Sequence, residues 1–239
     1  GFMVKRKVLP IDVAVIASPC GTHVATAREL VGRSVPVVST SDALDDVEGL
    51  LDLGPEAEVR GVTVVAGAAF SPGLTCLLAR HAVDTLERVD EVHVARFGAG
   101  GPACARQHHR ALGGTALDWR EGAWVRRPAG SGRELLWFPD PVGAADCYRA
   151  GLVDSLLLVN SLGPIDRVTA RLAATRRDRL TARLPMLRRP HPEGRIGAVR
   201  AEVRGGVGDR YETVVYGAFD RPGVAAGAVA AVSAVALGR

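Results

Sequence analysis

The chain has 239 residues, 47 % of them hydrophobic and 23 % charged, enough apolar content to bury a sizeable core in one large domain or two small ones. Its net charge of +4 and sequence pI of about 9.2 come almost wholly from arginine, with Lys5 and Lys7 the only lysines. Four cysteines without CxxC spacing exclude a disulfide framework or a zinc ribbon and point to a reducing cytoplasm.

At the N-terminus, Met3-Val4-Lys5-Arg6-Lys7 and the apolar stretch to Cys20 imitate a secretion signal, but Asp12 interrupts the apolar core. Asp12–Ala17 reads instead as a buried strand, closing on Ser18-Pro19-Cys20-Gly21-Thr22-His23. Val24, Ala27, Leu30 and Val31 then mark a helix, Val35–Val38 a second strand ending in Ser39-Thr40-Ser41-Asp42, and Leu44–Leu53 another helix. Val62–Val65 is a third strand. It runs through the small residues Ala66–Ala69 into Phe70-Ser71-Pro72-Gly73-Leu74, and Leu74–Ala82 follows as a helix. Strands alternating with helices mean βαβ units and a parallel sheet. Right-handed crossovers put the carboxyl ends of all three strands on one edge, so Ser18-Pro19, Ser39–Asp42 and Gly67–Gly73 are expected to line one crevice.

The order strand-Ser-Pro, helix, strand-Ser-Thr-Ser-Asp, helix, strand-Gly-x-x-Phe-Ser-Pro-Gly-Leu resembles the later half of the nucleotide-binding domain of the saccharopine dehydrogenase-like family over about residues 11–82. Diaminopimelate dehydrogenases and Gfo/Idh/MocA-type oxidoreductases look similar but less close. The resemblance implies an NAD- or NADP-binding Rossmann domain, residues 1–89, and an α+β substrate and dimerisation domain, residues 90–239. It implies that Ser18, Pro19, Thr22, Gly67, Phe70, Pro72 and Gly73 flank the nicotinamide half of the cofactor. By the same resemblance the chain begins at the fourth strand and lacks the first half of that domain, with the G-x-G-x-x-G turn that cradles pyrophosphate.

Beyond residue 90 the pattern changes to strands joined by turns. Glu91–Phe97, Ala116–Trp124, Glu134–Phe138 and Leu156–Val159 read as strands, with a turn at Pro128–Gly132. Ile196–Arg204, the Gly205–Asp209 turn and Tyr211–Ala218 form a hairpin, and Pro222–Leu237 is a closing helix that packs back on the first domain. That helix is too short and too rich in Ala and Gly to span a bilayer. The whole is α/β: a partial Rossmann-like parallel sheet followed by an α+β domain with a mixed or antiparallel sheet.

The densest chemical cluster is Gly98–Arg110, GAGGPACARQHHR. Its glycine-rich loop leaves backbone N–H groups free for an anion, and Arg106, His108 and His109 on the following helix suit an amino- or oxo-acid substrate. The same loop reads alternatively as a lone G-x-G-x-x-A fingerprint with Asp118 as ribose ligand, or as a plain capped helix. Cys104 and His108 lack further ligands for zinc, and no metal is expected. Arg167, Arg171, Arg176, Arg177, Arg179, Arg183, Arg188 and Arg189, with Val168, Leu172, Leu180 and Leu184, read as an amphipathic helix with a basic face. Without aromatic residues that face suits solvent or a dimer partner better than nucleic acid. Leu184–Leu187 and His191-Pro192 are placed near the crevice, and Trp119, Trp124 and Trp137 are expected to pack a sheet against helices.

Two functions fit. One is an NAD(P)-dependent oxidoreductase of the saccharopine dehydrogenase-like type acting on a small amino- or oxo-acid, a cytoplasmic homodimer with no catalytic acid or base singled out. The other is a non-catalytic relative that binds a metabolite or dimerises.

Overall fold

The computed structural model describes residues 11–186, 190–192 and 194–238. The Met3–Lys7 stretch and Leu187, Arg188 and Arg189 lie outside them. Three short strands, β1 (Ala14–Ile16), β2 (Val37–Ser39) and β3 (Val64–Val65), form a parallel sheet in that order. Helices α1 (His23–Gly32), α2 (Leu44–Leu51) and α3 (Gly54–Val59) connect them. Successive side chains of a strand point to opposite faces, and here both faces are apolar. Ile16, Val37 and Val64 face Ala27, Val31, Leu50, Leu53 and Ala57 of the connecting segments. Val13, Val38 and Val65 face the other way.

Helix α4 (Leu74–Val83) leads to β4 (Arg88–Phe97), the hub of an eight-stranded mixed sheet. Then come α5 (Pro102–Ala111), β5 (Thr115–Arg120), β6 (Ala123–Pro128), β7 (Glu134–Trp137), β8 (Ala144–Arg149), α6 (Asp154–Leu162), β9 (Arg167–Ala173), α7 (Arg176–Thr181), β10 (Gly197–Val207), β11 (Arg210–Asp220) and α8 (Pro222–Leu237). The sheet order is β11-β10-β4-β9-β5-β6, with β8 also on β9 and β7 on β8. Only the β4–β9 pair is parallel. Val92, Val94, Val168, Ala170, Leu172, Ala201 and Val203 turn inward onto Ala79 and Ala82 of α4 and Leu158 of α6. Helix α8 packs Val229 and Ala230 on the Val38 face of the first sheet. The fold is therefore α/β, a partial Rossmann-like parallel sheet joined to a mixed sheet.

Four sequence expectations are corrected. Leu156–Val159 is not a strand but the middle of α6, where Leu158 is fully buried; a run of four apolar residues fits either state until a partner decides. The arginine-rich segment is not one helix. Val168, Ala170 and Leu172 alternate with Arg167, Thr169 and Arg171, which makes β9. Thr175 and Asp178 then exchange reciprocal capping bonds to start the short α7. Ala116–Trp124 is two strands rather than one, folded at Glu121-Gly122, where both residues have positive φ. Trp119 packs into the core, but Trp137 is 70 % exposed and packs no sheet against a helix. Strand β8 and helix α3 have no counterpart in the sequence reading.

Candidate functional site

At the carboxyl edge of the first sheet, Ser18, Pro19 and Thr22 come together on the surface. Thr22 Oγ1 donates to the Pro19 carbonyl at 2.8 Å, so its 2.7 Å contact with Ser18 Oγ is a bond that Ser18 donates. Beneath them His23 is buried, with Nε2 2.8 Å from the Ser18 carbonyl and Nδ1 2.8 Å from Ser39 Oγ. A carbonyl only accepts, so Nε2 carries the proton and Nδ1 accepts from Ser39. Ser41 Oγ and the Gly21 N–H both donate to Asp46 Oδ2, at 2.7 and 2.8 Å. A carboxylate thus sits beside the start of α1, where an anion is electrostatically favoured.

Gly67, Phe70, Pro72 and Gly73 are also brought together, but inside the molecule. The Ala68 N–H donates to the Ser39 carbonyl at 2.7 Å, and Phe70 packs on Val199 and Ala225. Gly73 has φ +120°, and a Cβ there would lie 2.2 Å from the Ala69 carbonyl oxygen, so no other residue fits. This turn is a core joint between strand β3 and the eight-stranded sheet.

The joint carries a polar cluster that sequence reasoning missed. Ser71 Oγ donates to both oxygens of Asp154 at 2.9 and 3.0 Å, and Thr75 Oγ1 donates to the same carboxylate. Burial pushes the Asp154 carboxyl up, opposed by the Thr75 bond, the Arg96 charge and the Ser71 bond. Arg96, near the carboxyl end of β4, donates from Nη1 to the Ser71 carbonyl at 3.0 Å and lies 3.4 Å from Asp42. Its Nε has no hydrogen-bond partner among the described residues. Arg96 therefore ties β4 to the strand ends of the first sheet.

Helix α5 stands between two clefts. Gln107, Arg110 and Ala111 face a cleft of about 400 Å³ whose far wall is Cys20, Gly21 and Ala43–Asp46 of the first sheet. On its other side Ala105, His108 and His109 face a cleft of about 660 Å³ at the carboxyl ends of β4 and β9, with Phe97, Ala173, Asp178 and Met186. An adjoining hollow of about 420 Å³ adds Arg177, His191 and Arg195. Burial, and then the Arg96 charge, press His108 down to about 4, so its imidazole is neutral at pH 7. His108 Nδ1 has no hydrogen-bond partner among the described residues; the ring's remaining polar contact is the Gly98 backbone. His109 Nε2 donates to the Leu184 carbonyl at 2.9 Å. Arg106 is exposed and lines none of these three clefts. None of the residues expected near the cofactor lines these three clefts, and of those expected near the substrate only His108 and His109 do.

The alternative fingerprint reading of Gly98–Ala103 is set aside by geometry. The strand after α5 pairs antiparallel with β9, so no βαβ unit forms, and Asp118 is held by Arg149 Nε at 2.9 Å. Pro192 and Gly194 pack directly over Gly100 and Gly101. No helix among the described residues is long and apolar enough to cross a membrane.

No family model matches the chain, and no curated protein matches it. Solved structures do. Diaminopimelate (DAP) dehydrogenase of C. glutamicum, in complex with DAP, is 14 % identical with a TM-score of 0.46 over 95 % of this chain and 70 % of its own. GenD2 from gentamicin A biosynthesis, in complex with NAD, is 13 % identical with a TM-score of 0.45, over 94 % and 67 %. The WlbA dehydrogenase from Bordetella pertussis, in complex with NADH and UDP-GlcNAcA, is 15 % identical with a TM-score of 0.33, over 94 % and 69 %. The chain spans about two thirds of the length of each.

Proposed function

We propose that this chain works as a nicotinamide-dependent oxidoreductase of the saccharopine dehydrogenase-like type, using NAD or NADP on a small amino- or oxo-acid. The observation that carries the reading is the end of β4. There Arg96 ties β4 to the strand ends of the parallel sheet, next to a cleft lined by the neutral His108. In this reading Ser18, Pro19 and Thr22 offer an exposed shelf to the nicotinamide half, and the buried Gly67–Gly73 turn fixes the shelf's height. His108 borders the cleft as a neutral imidazole, and Arg177 or Arg195 in the adjoining hollow meets the substrate's carboxylate.

The residues present fit only part of a dinucleotide. The Gly21 N–H at the start of α1 is already taken by Asp46, and Gly100 and Gly101 are covered. The pyrophosphate cradle is therefore not built by the described residues. One observation favours a second reading, a metabolite-binding relative without turnover: Ser18, Pro19 and Thr22 line neither of the clefts beside α5. Titration with NADPH and then NADH, followed by tryptophan quenching and nicotinamide emission, decides between them. Micromolar saturation is the result expected of an oxidoreductase. Absence of binding up to millimolar cofactor leaves the metabolite-binding reading.

A further inference from the structure

A second polar site lies on the face of the eight-stranded sheet opposite α4 and α6. The register sets Arg167, Thr169 and Arg171 of β9 beside Glu91, His93 and Ala95 of β4, and these beside Arg204, Glu202 and Arg200 of β10. All share one face, because directly paired residues point the same way. They enclose a cavity of about 60 Å³ whose lining includes four guanidiniums, Arg167, Arg171, Arg200 and Arg204, and two carboxylates, Glu134 and Glu202.

The charges do not cancel. Glu202 takes Arg200 and Arg204, the latter at 2.6 Å, and Glu91 takes Arg204 and Arg167 at 3.1 and 3.6 Å. Glu134 lies 3.2 Å from Arg171 but is half exposed, and the approach does not align an N–H with it. Counting Glu91, four arginines meet three glutamates. His93 adds no charge at neutral pH, since burial presses it down, outweighing its hydrogen bond to Glu91.

The least satisfied group is Arg171, whose ion-pair partner Glu134 is half exposed. The Arg171 side chain is only 7 % exposed, yet both Nε and Nη1 lack hydrogen-bond partners among the described residues. Buried polar atoms are normally satisfied, and a buried charge without a partner is costly. A small oxyanion seated beside this guanidinium would supply an acceptor and a counter-charge to a group that lacks hydrogen bonds. A volume of about 60 Å³ is the share of about two waters, room for one small oxyanion.

We infer that this pocket binds a small oxyanion of phosphate or carboxylate size, through Arg171 with Arg200 beside it. The site shares no residue with the α5 clefts, although Phe97 and Ala173 of the His108 cleft continue the same sheet face, and the inference does not rest on the nicotinamide reading.

The test is thermal unfolding in inorganic phosphate against sodium chloride of matched ionic strength, for the natural chain, Arg171→Gln, and Arg210→Gln at an exposed strand end as control. At about five times its Kd, phosphate is expected to raise Tm by about 2–4 °C beyond chloride. The rise should persist in Arg210→Gln and vanish in Arg171→Gln. Acetate giving the same pattern assigns the site to carboxylates as well. If Arg171→Gln does not fold, Arg200→Gln takes its place with the same expected loss. No rise over chloride, or an equal rise in the pocket variant, overturns the inference.

Discussion

The two sheets handle buried polarity in opposite ways. At the carboxyl edge of the three-stranded sheet the bonds close on one another: His23 uses both nitrogens, Ser39 and Ser41 each donate and accept, and Asp46 takes two donors. In the eight-stranded sheet and α5, Arg96 Nε, His108 Nδ1 and two nitrogens of Arg171 are left over. A closed network rigidifies, whereas a buried leftover donor or acceptor is a standing cost that a ligand can relieve. The parallel sheet thus closes its own polar network, and unsatisfied polar groups are left in the larger sheet and α5.

The comparison can be broken first at the joint. Phe70→Ala empties a buried ring between Val199 and Ala225 and is expected to cost about 3–5 kcal/mol in urea unfolding. A cost near zero would mean that the turn is a surface element after all. Asp154→Ala strips the acceptor from Ser71 and Thr75 and is expected to cost about 3 kcal/mol, with Asp154→Asn recovering part of it. A sharper test pairs two histidine environments. Ser39→Ala orphans His23 Nδ1 and should cost about 1–3 kcal/mol. His108→Gln loses no Nδ1 partner and should cost less than Ser39→Ala, while abolishing whatever acid–base role the cleft has.

Stability against pH carries the same contrast. His108 sits at about 4 in the fold, below its ordinary 6.5, so the unfolded chain takes up the proton first. Its contribution is complete above pH 6.5 and is lost as pH falls from there toward 4. His93 is displaced in the same direction, mainly by burial, and Asp154 in the opposite one. The natural chain minus His108→Gln should therefore show a loss confined to that window, measured as Tm against pH. The smallest effect is expected from Arg106→Ala, within about 0.5 kcal/mol and without change in ligand binding, since the side chain is exposed outside the clefts.

The strand–helix alternation up to Ala82 was readable because each segment carries its own period and its own small-residue stop. The later errors share one cause. Leu156–Val159 and Arg167–Arg183 each fit two templates locally, and the choice was made by long-range pairing, as when β9 is clamped between β4 and β5. His108 was legible from the Gly98–Arg110 cluster. Asp154 was not, because its partners Ser71 and Thr75 lie 83 and 79 residues away. Arg96 falls in the same phase of β4 as the buried Val92 and Val94, and only the fold gives it Ser71 as a partner.

The most direct test is histidine nitrogen NMR across pH 3–8. His108 is expected to titrate at about 4, with Nδ1 unprotonated and free at neutral pH, while His23 shows an Nε2–H tautomer bonded at both nitrogens. His108 titrating near 6.5 would contradict the account, for it would mean a solvated side chain and no poised group at the end of β4.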